Sequence, residues 1–131
     1  MFIDANIFIY AYTDSLEKGK KSRALLDRVA RGEQHATTSA LVINEVFYFL
    51  QEARGIAGVE DAHKHVSSLN ALSVLPIDEK TAIASIHYIK DGLQVTDAFH
   101  AATMKLAGIG VICSYDRDFD KVKGITRQEP K

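Results

Sequence analysis

Four acids occupy places where an acid is expensive. The opening "MFIDANIF" sets Asp4 at the end of an apolar run, with Asn6 two residues on. Glu45, in "INEVFYFL", has Leu41, Val42, Tyr48 and Phe49 at i−4, i−3, i+3 and i+4, which puts it on or beside the apolar face of a helix. Asp97 opens "TDAFHAATMKLAG" with Ala101 and Met104 at i+4 and i+7, and Asp116 stands just past the apolar run "VIC". Each has an ordinary reading alone: Asp4 as a turn or cap residue, Glu45 as an acid at a stripe's edge, Asp97 as a first-turn acid favoured by the helix dipole. Brought into one cleft, they would repel one another and need a cation to offset the charge. Oxygen donors of this kind suit a hard divalent ion, Mg²⁺ or Mn²⁺, held by a few carboxylates and several waters.

Other chemistries find less support. The five histidines, His35, His63, His65, His87 and His100, lack zinc-site spacing, and His63 and His65 would point to different faces of a helix. The single cysteine, Cys113, lies in "GVICS", where a buried thiol is expected. There is no G-x-S-x-G elbow for a serine nucleophile, and neither a Walker A loop nor a G-x-G-x-x-G turn to cradle a nucleotide.

A formal net charge of −1 is not the footprint of a protein that grips nucleic acid through its global field, so any such contact must be local or metal-assisted. The densest basic stretch, "EKGKKSR", offers Lys18, Lys20, Lys21 and Arg23 either as a solvated helix start or as phosphate contacts. With 131 residues, 47% hydrophobic and 25% charged, the chain has the size and composition of one compact domain over residues 1–131. No run is long and apolar enough to span a bilayer, and Asp4 interrupts what might pass for a signal sequence, so a cytoplasmic protein is expected.

The elements that must position these acids alternate along the chain. "MFID" reads as a short buried strand and "ANIFIYAY" as the helix after it; "KGKKSRALLDRVARGE" is amphipathic and stops at Gly32. "HATTS" is a strand; Ser39 then caps a helix that Gly55 ends, with another over "VEDAHKHVSSLNAL". "SVLPID" reads as a strand that either lies at a sheet edge or carries Pro76 near its end. Two helices, "EKTAIASIHYIKDG" and "VTDAFHAATMKLAG", precede the buried strand "VICSYD", and "GITRQEP" offers a last one. Such alternation predicts an α/β fold: a three-layer α/β/α sandwich around a mainly parallel sheet of four or five strands. Ligands in such sheets bind beyond the carboxyl ends of the strands, where Asp4 and Asp116 fall.

In this order and spacing the motifs resemble those of PIN-domain proteins. "FIDANIFIY" is similar to their opening strand with its acid, "INEVFYFL" to their second acidic segment, "TDAFHAATMKLAG" to their third, and "CSYDRDFDKVKGI" to their closing motif through Ser114, Asp116 and Phe119. The resemblance implies that Asp4, Glu45, Asp97 and Asp116 form the acidic cluster, with Asn6 and Ser114 as supporting polar groups. Asp4, Asp97 and Asp116 would hold the metal, with Glu45 and Asp118 open as further donors and Asp120 without a role assigned. It further implies Mg²⁺- or Mn²⁺-dependent hydrolysis of RNA phosphodiesters; on that reading the basic run makes Lys18, Lys20, Lys21 and Arg23 candidates for contact with the RNA backbone. In length the chain resembles the VapC-type ribonuclease toxins, which implies an antitoxin partner and a homodimer, with "VFYFL" as core packing or, less simply, a groove or dimer surface. Two alternatives stay open: a PIN-like module that binds RNA or a partner without cutting, and an RNA-processing nuclease not tied to an antitoxin.

Overall fold

In the computed structural model, which describes residues 1–131, five short strands lie at the centre. They are β1 (Phe2–Ile3), β2 (Ala36–Ser39), β3 (Leu72–Leu75), β4 (Val111–Cys113) and β5 (Thr126–Gln128). All pairings are parallel and the spatial order is β3-β2-β1-β4-β5. The expected sheet is therefore present with five strands, wholly parallel, and β3, just before Pro76, lies at its edge.

The helices are α1 (Ala5–Thr13), α2 (Glu17–Ala30), α3 (Ala40–Ser67), α4 (Glu79–Lys90) and α5 (Val95–Leu106). α1 packs with α2 and α3, while α4 packs with α5, so the helices that lead from β1 to β3 and those that lead back to β4 form separate layers over the sheet. Phe2 and Ile3, both fully buried, show why the central strand needs only two residues. Both its faces are covered, so each side chain contributes its whole apolar area to the core. Phe8, Leu25, Leu26, Met104, Ile112 and Phe119 complete that core.

Side chains set the helix starts. Asp4 caps α1, Ser39 caps α3 by accepting from the Val42 amide, and Asp78 caps α4 by accepting from that of Thr81. The two helices expected either side of Gly55 are both present within Ala40–Ser67, separated by a break at that residue, whose φ of 66° and ψ of −156° are non-helical and suit glycine alone. A 3-10 helix, Arg117–Lys121, follows β4 and was not evident in the sequence; Asp116 caps it by accepting from the Asp118 amide. Within "VFYFL", Val46 and Leu50 are buried but Tyr48 and Phe49 are exposed, which corrects the expectation of plain core packing for those two aromatics.

The chain builds the sheet outward from β1 to β3, then returns to place β4 on the other side of β1. The carboxyl ends of β1 and β4 thus diverge at the point where the winding reverses, the usual place for a ligand in an open α/β sheet. Asp4 follows β1, and Ser114 to Asp118 follow β4.

Candidate metal centre

Asp4 is nearly enclosed, and its carboxylate is held from three sides. Oδ1 accepts from the Ala5 amide at 2.7 Å; Oδ2 accepts from Asn6 Nδ2 at 2.7 Å and from Ser114 Oγ at 2.6 Å. Ser114 Oγ in turn accepts from Asn6 Nδ2 and from the Asp116 amide, both at 2.9 Å, and Asn6 Oδ1 accepts from the Tyr115 amide at 3.2 Å. Asn6 and Ser114 therefore tie the end of β1 to the loop after β4. Burial raises the Asp4 pKa; His100, the Ser114 hydroxyl and the Ala5 amide oppose that rise without cancelling it.

Across this edge, Asp97, Asp116 and Asp118 each bring a carboxylate oxygen to within 4.8 Å of the others. Asp97 comes from the first turn of α5, Asp116 from the end of the β4 loop and Asp118 from the 3-10 helix. Burial, followed by the negative charges of Asp116 and Asp4, pushes the Asp97 carboxyl up to about 6. No side chain caps α5. Asp97 thus sits in a field that opposes its charge, which fits a ligand better than a dipole-stabilised terminus.

Glu45 arrives from α3 half-buried, and its Oε2 meets His100 Nε2 at 2.7 Å. His100 is fully buried one turn after Asp97, and its Nε2 is 3.9 Å from Asp4 Oδ1. The three-acid group thus omits Asp4 and Glu45, whose carboxylates both approach His100 Nε2. Zinc-type spacing gave no reason to select this histidine. The signal that does select it is its position three residues after Asp97, which puts both side chains on one face of the helix. Burial lowers the imidazole pKa, but the Glu45 hydrogen bond and the surrounding acids outweigh it and leave the pKa raised.

Asp120 pairs with Arg127 at 2.8 Å, away from the three-acid group, while Asp118 pairs with Lys121 at 2.8 Å at its rim. Lys18 Nζ lies 5.1 and 5.0 Å from the ring centroids of Tyr10 and Tyr115, which brings its charge close to the Asp116 loop. Lys20 is exposed, Lys21 pairs with Glu17, and Arg23 donates through Nη1 to the carbonyls of Ala11 and Asp14, bracing the α1–α2 turn. Cys113 is buried, with its thiol pushed up to about 12 mainly by that burial. A groove of about 820 Å³ is lined by Tyr88, Gln94, Lys105, Asp118, Lys121 and Lys123 among others.

The donor set is all oxygen apart from one histidine engaged with Glu45, and three carboxylates already converge. These residues fit a hard divalent cation.

Comparison with known proteins bears on the fold and the family. Ribonuclease VapC2 of Methanocaldococcus jannaschii is 29% identical over 135 residues, covering 93% of this chain and 88% of the relative. Among solved structures, Mycobacterium tuberculosis VapC20, described as a sarcin-ricin loop cleaving toxin, superposes with a TM-score of 0.74 at 15% identity, covering 91% of this chain and 92% of that one. A toxin–antitoxin complex from Klebsiella pneumoniae gives 0.72 at 16% identity, with 95% and 94% covered. The PIN domain family model matches residues 1–125, and the chain belongs to the PIN domain family.

Proposed function

We propose that this chain, folded as one unit over residues 1–131, is an endoribonuclease that uses Mg²⁺ or Mn²⁺ to hydrolyse RNA phosphodiester bonds. The observation that carries the reading is the convergence of Asp97, Asp116 and Asp118 at the sheet's switch point, beside a fixed Asp4. Asp97 and Asp116, joined by Asp4, would hold the cation, with Glu45 and Asp118 as further donors. When bound, the cation would activate water and offset charge on the phosphate. Asn6 and Ser114 hold Asp4 and the Asp116 loop in fixed relation, so the carboxylates need little rearrangement. The cytosolic setting expected from the sequence is consistent with a fold in which no helix is long and apolar enough to cross a membrane.

Placement of the substrate follows from charge. The acids repel a phosphodiester chain, so its flanking phosphates need cations nearby. Lys18 at the Asp116 loop and Lys105 and Lys123 in the groove that Asp118 also lines can supply them. Lys20 and Lys21 lie on the same helix as Lys18, whereas Arg23 is engaged with backbone carbonyls.

The named relatives support a toxin role, held in check by an antitoxin. Exposed Tyr48 and Phe49 on α3 offer such a partner an aromatic surface. A homodimer is supported by α4, which buries Thr81 and Ser85 while Ile83, Ile86 and Ile89 stay exposed.

Product analysis tests the chemistry. With Mn²⁺ or Mg²⁺, the expected fragments carry no 2′,3′-cyclic phosphate, and a 2′-deoxy substitution at the cut site leaves cleavage intact, because water is the nucleophile. Cyclic-phosphate ends, or full activity in EDTA, would contradict it.

A further inference from the structure

The acids differ in how firmly they are held. Asp4 accepts three hydrogen bonds at 2.6–2.7 Å, and Asp116 accepts from the Asp118 amide at 2.8 Å. Glu45, reaching in from α3 on a longer side chain that is 33% exposed, accepts from His100 at 2.7 Å. Without that bond its carboxylate has solvent-facing rotamers open to it.

His100 is well placed to act as a clamp. Its ring is fully buried and lies against Phe2 of the central strand, with centroids 5.8 Å apart, so packing fixes the ring plane. Nδ1 is enclosed without a partner. A bare lone pair is tolerated there better than an unpaired N–H, so the neutral ring carries its proton on Nε2. The charged ring carries a proton there as well. A donor toward Glu45 is thus present in either charge state.

We propose that His100 is a positioning residue for the divalent cation: its Nε2–H fixes the Glu45 carboxylate near Asp4, and so completes the ligand set from α3. The inference rests on reading the cluster as a cation site. It goes beyond that reading in giving Glu45 its orientation through a residue that touches neither cation nor substrate. Loss of a hydrogen bond that orients a metal ligand typically costs about 10–100-fold in metal affinity.

The test is Mn²⁺ titration calorimetry on the whole chain: wild type, His100→Leu, His100→Gln, Glu45→Ala and His100→Leu with Glu45→Ala. Metal-free melting curves are recorded alongside. Leucine keeps the packing volume and loses the donor; glutamine returns an N–H at similar reach. Expected is a loss of about 10–100-fold for His100→Leu, recovery of most of it in His100→Gln, and no further loss when His100→Leu is added to Glu45→Ala. If His100→Leu does not fold, His100→Asn, whose amide falls short of Glu45, takes its place in the same cycle. Unchanged Mn²⁺ affinity in the His100 variant, or an equal loss with and without Glu45, would overturn the proposal. RNA cleavage by the wild type is scored separately. A wild type that binds Mn²⁺ but cuts no RNA overturns the nuclease reading and leaves the His100 cycle to be judged by its own result. A wild type that binds no Mn²⁺ overturns both.

Discussion

Asp97 carries the clearest chemical consequence, because burial and its acidic neighbours raise its carboxyl to about 6 from 3.8. A raised folded-state value means that the stabilising contribution is full below pH 3.8 and is lost as pH rises through about 6. Asp4, raised by burial, acts in the same direction. A cation needs the ionised form, so its stabilising effect grows as the acids lose their protons. Melting curves with and without Mn²⁺ should therefore nearly coincide at pH 5 and separate at pH 7.5; an equal gap at both would count against this assignment. Ser114→Ala removes a buried donor to Asp4 and a part-buried acceptor for the Asp116 amide, and should cost about 1–3 kcal/mol in a denaturant titration. No measurable loss would mean that the network does not hold the loop. At this scale the acids were legible because each stood in apolar company. His100 was not, because its partner is 55 residues away in sequence and lies on another helix.

The elements were legible where periodicity and caps agreed. Ser39 and Gly55 marked the bounds of the first part of α3, and Pro76 marked an edge place or a strand end, both of which hold for β3. The 3-10 helix was not, since "DRDFDK" has too few residues to show a period, and what fixes it is a cap from Asp116 and the burial of Phe119. Tyr48 and Phe49 misled for a related reason: aromatic residues near an apolar stripe do not reveal how wide a face the sheet covers. Gly55 gives this scale its prediction. A side chain at φ 66° and ψ −156° is strained, so Gly55→Ala should cost about 1–3 kcal/mol, read as a lower melting temperature, with Mn²⁺ affinity unchanged. A neutral or stabilising outcome would mean that α3 can run straight through this point.

For the whole molecule, winding order decides where the chemistry sits. Starting β1 at the centre and returning to β4 beside it brings Asp4 and Asp116 together from opposite ends of the sequence. The strand-helix alternation made that class of fold legible, but the order of the strands lies in packing choices that no single segment records. Assembly is likewise a property of the surface: the isoleucine face of α4 should pair two copies, and Ile86→Asp should shift the sedimentation coefficient to that of one chain. A wild type that sediments as one chain at all concentrations would contradict this. The central claim is metal-dependent cleavage by the acid cluster, and it is met most directly by a mixed RNA panel incubated with wild type and with Asp97→Asn prepared side by side, with Mn²⁺ or with EDTA. Expected is cleavage by the wild type with Mn²⁺ alone and none by Asp97→Asn. Equal cleavage by both proteins, or none by a folded wild type that binds the ion, would contradict it.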